Sequence, residues 1–221
     1  MEKENSKKGF SKTINFIYRL IILNIITFIT IVLGLGIFSF LPALVSLIVL
    51  LQYPEEDTIG RMIKLYFRVF KKIYFKAELV FLILASLVVL DAVSIFYFYC
   101  WLLESSAFFY VIAYYVVLFV EIYFILALVN SCFIIVYYPH LKLFKVIKYS
   151  FNTIVAVMLK MVFIFLLLIG TIYISILFVP ALPLISISLF MFCSYKLLDE
   201  PYKKMVPKGY NILSPYEILE D

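Results

Sequence analysis

Charge is scarce in this chain: 15% of its 221 residues are Asp, Glu, Lys or Arg, 66% are hydrophobic, and the mean hydropathy is +1.10. One soluble core of that length could not bury so much apolar surface, so the composition predicts a membrane protein. The net charge of +5 does not point to nucleic acid, because a basic soluble domain would not break its cations with apolar runs of bilayer length. Histidine occurs once, and Cys100, Cys132 and Cys193 lie in separate apolar segments without CxxC spacing. That pattern excludes a recognisable metal site and reads as membrane-buried thiols. A nucleophile elbow, Walker loop, HExxH pair and Gly-rich dinucleotide turn are all missing, so no catalytic residue and no cofactor are expected. The first apolar run follows a polar, basic segment and lacks a small-x-small cleavage site, which predicts a retained helix.

What is present is length. A spanning helix needs about 20 mostly apolar residues, and that criterion places helices near 14–35, 38–53, 77–101, 108–137, 153–176 and 181–198. The second is short. Gly34 and Gly36 close the first run, Pro42 opens the second, and Pro180 and Pro183 open the sixth. Exposed strand edges are not tolerated in hydrocarbon, so the expected fold is an all-α, polytopic membrane helical bundle of about six spans. It forms one membrane domain over 14–198, between a polar N-terminal segment, 1–13, and a tail, 199–221.

The turns at 34–40, 102–107 and 177–182 hold no Lys or Arg. The 19 cations fall instead in 1–19 (five), 61–76 (six), 142–160 (four) and 196–208 (four). The positive-inside rule then predicts a cell (inner) membrane protein with both termini and both long connections in the cytoplasm. Aromatics from Phe96 to Trp101 and from Phe108 to Tyr110 flank the turn LLESSA as an outer belt, and Tyr137 and Tyr138 mark the inner boundary.

The segment YFRVFKKIYFKA, Tyr66 to Ala77, interleaves cations with aromatics. On a helix Arg61, Lys64, Arg68, Lys71, Lys72 and Lys76 share one face, and Met62, Tyr66, Val69, Phe70, Ile73 and Ala77 the other, an interfacial amphipathic pattern. A second such segment follows Tyr138-Pro139, with Lys142, Lys145 and Lys148 opposed to Leu143, Phe144, Ile147 and Phe151. Phe70 and Phe151 lie 81 residues apart (151 − 70), which suggests a pseudo-repeat of span, basic helix and span. Two interfacial basic helices on the cytoplasmic side are therefore expected, their partners being anionic headgroups or a membrane transport complex.

Ionisable groups inside a span are costly and are functional candidates by default. Asp91 lies ten residues before Trp101 and Glu121 thirteen after Phe108, so in an antiparallel hairpin both sit about 15–20 Å below the outer turn. Two readings stand: a proton relay or cation site, or neutral acids hydrogen-bonded to Asn24, Asn130 or a serine in a helix interface. Lys160 is placed to snorkel, Glu104 in the outer turn, Glu78 at the inner start of the third span and His140 at the cytoplasmic surface.

The order of features, a first span, then FSFLPALVSL, then FRVFKKIYFK leading into the third span, resembles the YesL-like family of bacterial membrane proteins of unknown function. The local resemblance covers roughly residues 15–90. Where the family usually has Gly before Pro-Ala, this chain has Leu41. The resemblance implies a polytopic bacterial membrane protein whose relatives often accompany carbohydrate-uptake systems, and it carries over no functional residues. The expected role is an accessory or scaffold subunit of a transport system. The alternative is a small secondary transporter or proton-coupled carrier using Asp91 and Glu121.

Overall fold

A computed structural model describes the backbone of residues 2–52, 59–104 and 108–205, and side chains within these from residue 13 onward. The linker with Tyr53 and Pro54, the centre of the LLESSA turn and the tail beyond 205 lie outside the described residues. Seven α-helices follow in order: α1, Glu2–Leu33; α2, Phe40–Gln52; α3, Ile59–Glu104; α4, Phe108–Tyr137; α5, Leu143–Ala156; α6, Met158–Leu177; and α7, Ile187–Met205. One π-helical turn, Leu182–Ser186, leads into α7. The protein is an all-α membrane bundle: five helices are long and apolar enough to cross a bilayer, and α2 is a shorter apolar helix.

The short helix is the centre of the bundle. Every residue of α2 from Leu41 to Leu51 is buried, among α1, α3, α4 and α7. A helix apolar on all sides is stable only where apolar matter surrounds it, and here most of that matter is protein. At 13 residues α2 is about 20 Å long, against about 30 Å of hydrocarbon, so the expected second span is a buried core helix rather than a lipid-facing one.

Local chemistry sets the α1–α2 hairpin. The interior stripe of α1, Leu20, Leu23, Asn24, Thr27 and Thr30, follows the 3–4 spacing of one helix face. The chain then reverses through Leu35 (φ 55°) and Gly36 (φ 75°), and Ser39 Oγ donates at 2.8 Å to the Thr30 carbonyl, which also accepts from Gly34 N–H at 3.1 Å. That approach needs Gly34, since a Cβ there would lie 2.1 Å from Ser39 Oγ. At the far end Arg19 Nη2 donates to Leu50 O at 2.6 Å, satisfying a carbonyl in the last turn of α2. A cation expected at the membrane surface thus caps a core helix.

α3 is one continuous helix of 46 residues, about 69 Å, so the first basic segment forms its opening turns. Its apolar stripe, Met62, Tyr66, Val69, Ile73, Ala77, Val80 and Leu84, is buried, and α3 packs on both α4 and α2. The face expected to sink into headgroups is therefore covered by the protein's own core. From Ala85 to Ile125 no described residue is buried. There α3 and α4 form a distal arm joined by aromatic pairs such as Trp101–Tyr110, with ring centroids 5.7 Å apart.

Helix bounds differ from the sequence-based ones where backbone hydrogen bonds decide. α1 begins at Glu2, within the segment read as polar, and ends at Leu33. The expected span 153–176 is interrupted at Val157 (φ −120°, ψ 32°), which separates α5 from α6. α7 continues past 198 to Met205, through Pro201.

Candidate functional site

The two basic segments converge. α5 packs on α3, and Lys76 Nζ donates to Pro139 O at 2.7 Å, clasping the connection that leads into α5. On α3, Lys64, Lys71 and Lys72 are exposed, as are Lys142, Lys145 and Lys148 beside and along α5. Arg61 is exposed and Arg68 half-buried; Arg61, Arg68 and Lys72 also interact within the chain. The second segment differs from its sequence reading. Val146, Ser150, Thr153 and Ile154 form the buried face of α5, Ile147 and Phe151 are partly buried, and Phe144 stands 79% exposed on the cationic side. Ser150 and Thr153 hold the covered face because their hydroxyls have partners there, a signal that a hydrophobic count overlooks.

The intramembrane candidates separate into two kinds. Asn24 and Asn130 are fully buried and fully used. Asn24 Nδ2 donates to Leu182 O (2.9 Å) and Pro183 O (2.7 Å), and its Oδ1 accepts from Ser188 N–H (2.7 Å). These groups lie in and just after the π-helical turn Leu182–Ser186, which departs from the ordinary helical hydrogen-bond pattern, and bare backbone groups are costly where water is absent. Asn24 supplies their partners. Asn130 Nδ2 donates to Ser150 O (2.8 Å) and Thr153 Oγ1 (2.7 Å), while its Oδ1 accepts a short hydrogen bond from Tyr202. Tyr202 stacks on Tyr137, with centroids 5.2 Å apart, and the Tyr137 hydroxyl donates to Asp199 Oδ1 at 2.6 Å.

Asp91 and Glu121 are of the other kind. The structure sets them side by side across the distal arm, each partly exposed. Two carboxyls can bond only if one carries a proton. Asp91 Oδ2 and Glu121 Oε2 are buried without a hydrogen-bond partner among the described residues. Neither Asn24 nor Asn130 bonds to them. The pair is therefore not absorbed into the packing as the asparagines are, and its chemistry suits a proton or a cation.

Sequence reasoning missed the network of Tyr137, Ser150, Thr153, Asp199 and Tyr202. Its one advance signal is the recurrence of hydroxyls on the non-cationic face of α5. Glu78, placed at the inner start of the third span, is buried, and neither carboxylate oxygen has a hydrogen-bond partner among the described residues. Cys100, Cys132 and Cys193 are free thiols, and no cluster of three His, Cys, Asp or Glu residues occurs among the described residues.

Long apolar helices, a buried polar scaffold and one exposed basic surface define a polytopic α-helical membrane protein. Residues 20–95 match the family described as "Protein of unknown function, DUF624", the YesL-like family, so the resemblance carried by FSFLPALVSL and FRVFKKIYFK stands over that segment. No curated protein and no solved structure matches the chain.

Proposed function

We propose that the protein is a non-enzymatic accessory or scaffold subunit of a transport system in the bacterial inner membrane, with both termini cytoplasmic and the basic face its docking surface. The observation that carries this reading is the packing of α5 on α3, with exposed lysines on both helices and Lys76 clasping the connection that leads into α5. A single cationic surface complements an acidic cytoplasmic partner, and the same lysines attract anionic headgroups at about 1 kcal/mol each. Carbohydrate is the transported class suggested by the family resemblance. Replacing Lys64, Lys71, Lys145 and Lys148 together by Glu reverses the charge and leaves the buried faces intact. Co-purification in mild detergent then loses any docked transport component, whereas unchanged recovery of it rejects the docking surface.

A second reading rests on the Asp91–Glu121 contact: a small proton-coupled carrier. Purified protein in liposomes moves solute or protons under that reading, and Asp91→Asn with Glu121→Gln abolishes the movement. Under the scaffold reading it moves neither without its partners.

A further inference from the structure

A cavity of about 430 Å³ lies between α6 and the rest of the bundle. Phe28 of α1, Leu44 of α2, Val88 of α3, Cys132 of α4, Ile172 of α6 and Met191 of α7 each form part of its wall. It runs from the core to the protein's flank: Cys132 and Met191 are 0% and 1% exposed, while Ile172 and Leu182 are 51% and 39% exposed. We infer that this cavity holds one acyl chain of a membrane phospholipid, inserted from the side past Ile172 and Leu182.

The wall selects hydrocarbon. Its only hydroxyls belong to Thr171 and Ser175, and both are already spent: Thr171 donates to Leu167 O and Ser175 to Thr171 O, each at 2.8 Å. Ser175 Oγ also lies 3.2 Å from Ser186 Oγ. Their protons are committed, so beyond leftover acceptor lone pairs and the weak Cys132 thiol no donor remains for a polar ligand, and a water molecule needs two to four polar partners. The volume is nearly three times that of an engineered apolar cavity of about 150 Å³ that stays dry and takes up benzene. The surface around the mouth is lipid-facing, with Ile169, Tyr173 and Ile176 exposed on α6, so the hydrocarbon at hand is the bilayer's own.

Packing gives the chain a structural role. α6 buries only Met161 and Ile164 of its 20 residues, both in its first half. In its second half Leu168, Thr171, Ile172 and Ser175 line the cavity. An unfilled void removes attractive contacts from every residue that lines it. A bound chain restores those contacts and ties α6 to the bundle.

The test uses the full chain in vesicles of phosphatidylcholine and phosphatidylglycerol, with trace phosphatidylglycerol bearing a diazirine near the end of one acyl chain. Irradiation followed by peptide mass spectrometry is expected to place adducts on Cys132, Phe190 or Met191, which bulk lipid does not reach. Val129→Trp, which fills the cavity, should lower that labelling at least tenfold, while labelling of lipid-facing Phe163 and Leu166 stays unchanged. Ile172→Trp, at the exposed mouth, should do the same without burdening the core. Adducts confined to lipid-facing residues, or core adducts that persist in both variants, would overturn the assignment. Core labelling by photoreactive palmitate but not by the phospholipid probe would overturn the phospholipid source.

Discussion

Two regions of one long helix behave differently. The first half of α3 lies against α2 with a continuous buried stripe from Met62 to Leu84, whereas its second half, with the start of α4, forms an arm without a buried residue. Both are apolar, yet most of the polar groups that satisfy distant backbone atoms lie in the core region; in the arm Tyr123 does so near its base, its hydroxyl donating to Phe151 O at 2.9 Å. In a bilayer, apolar contact with protein replaces apolar contact with lipid at little gain, so close packing and hydrogen bonds decide which helices stay together. The core has such bonds from Asn24, Asn130, Ser39 and Arg19. The arm has ring contacts between its two helices and the Asp91–Glu121 pair.

Breaking the Asn24 node gives the largest effect. Asn24→Leu leaves the Leu182 and Pro183 carbonyls and the Ser188 N–H without their side-chain partner, at a cost of about 2–4 kcal/mol. Reversible unfolding in mixed micelles measures it, and a change below about 0.5 kcal/mol would show that the node is not what holds α7 to α1. Next comes the hairpin: Gly34→Ala forces Ser39 Oγ away from Thr30 O, at about 1–3 kcal/mol. Adding Ser39→Gly should recover part of that loss. If Gly34→Ala proves silent, the tight reversal is not required.

The arm gives the smallest effect. Asp91→Asn with Glu121→Gln keeps hydrogen-bonding capacity and should change stability by less than about 0.5 kcal/mol. Trp101 is the single tryptophan and lies in the arm, so its fluorescence reports that region while circular dichroism reports all helices. In a denaturant titration the fluorescence transition is expected first. Coincident transitions would mean that arm and core form one cooperative unit.

Much of the architecture was legible in advance because it follows from residue-by-residue transfer energies. The runs ending at Leu33, Tyr137 and Leu177 were located to within about two residues by their hydropathy and by Gly34 and Pro180. The proximity of Asp91 and Glu121 followed from counting along an antiparallel pair. The break at Val157 was not legible, since neither Gly nor Pro marks it. Nor was the exposure of Phe144, because Val146, Ser150 and Thr153 offered a second face whose burial depended on Asn130 and Tyr202, 20 and 72 positions from their partners.

Hydropathy, a property of residues taken singly, was enough to make this a membrane-embedded helical chain. Which helix occupies the centre was decided only by tertiary structure, because α2 is equally apolar toward lipid and toward protein. The same holds for the polar side chains. Asn24 finds its use in backbone groups about 160 positions away, in the π-helical turn that leads into α7, and no local pattern around Asn24 encodes that need.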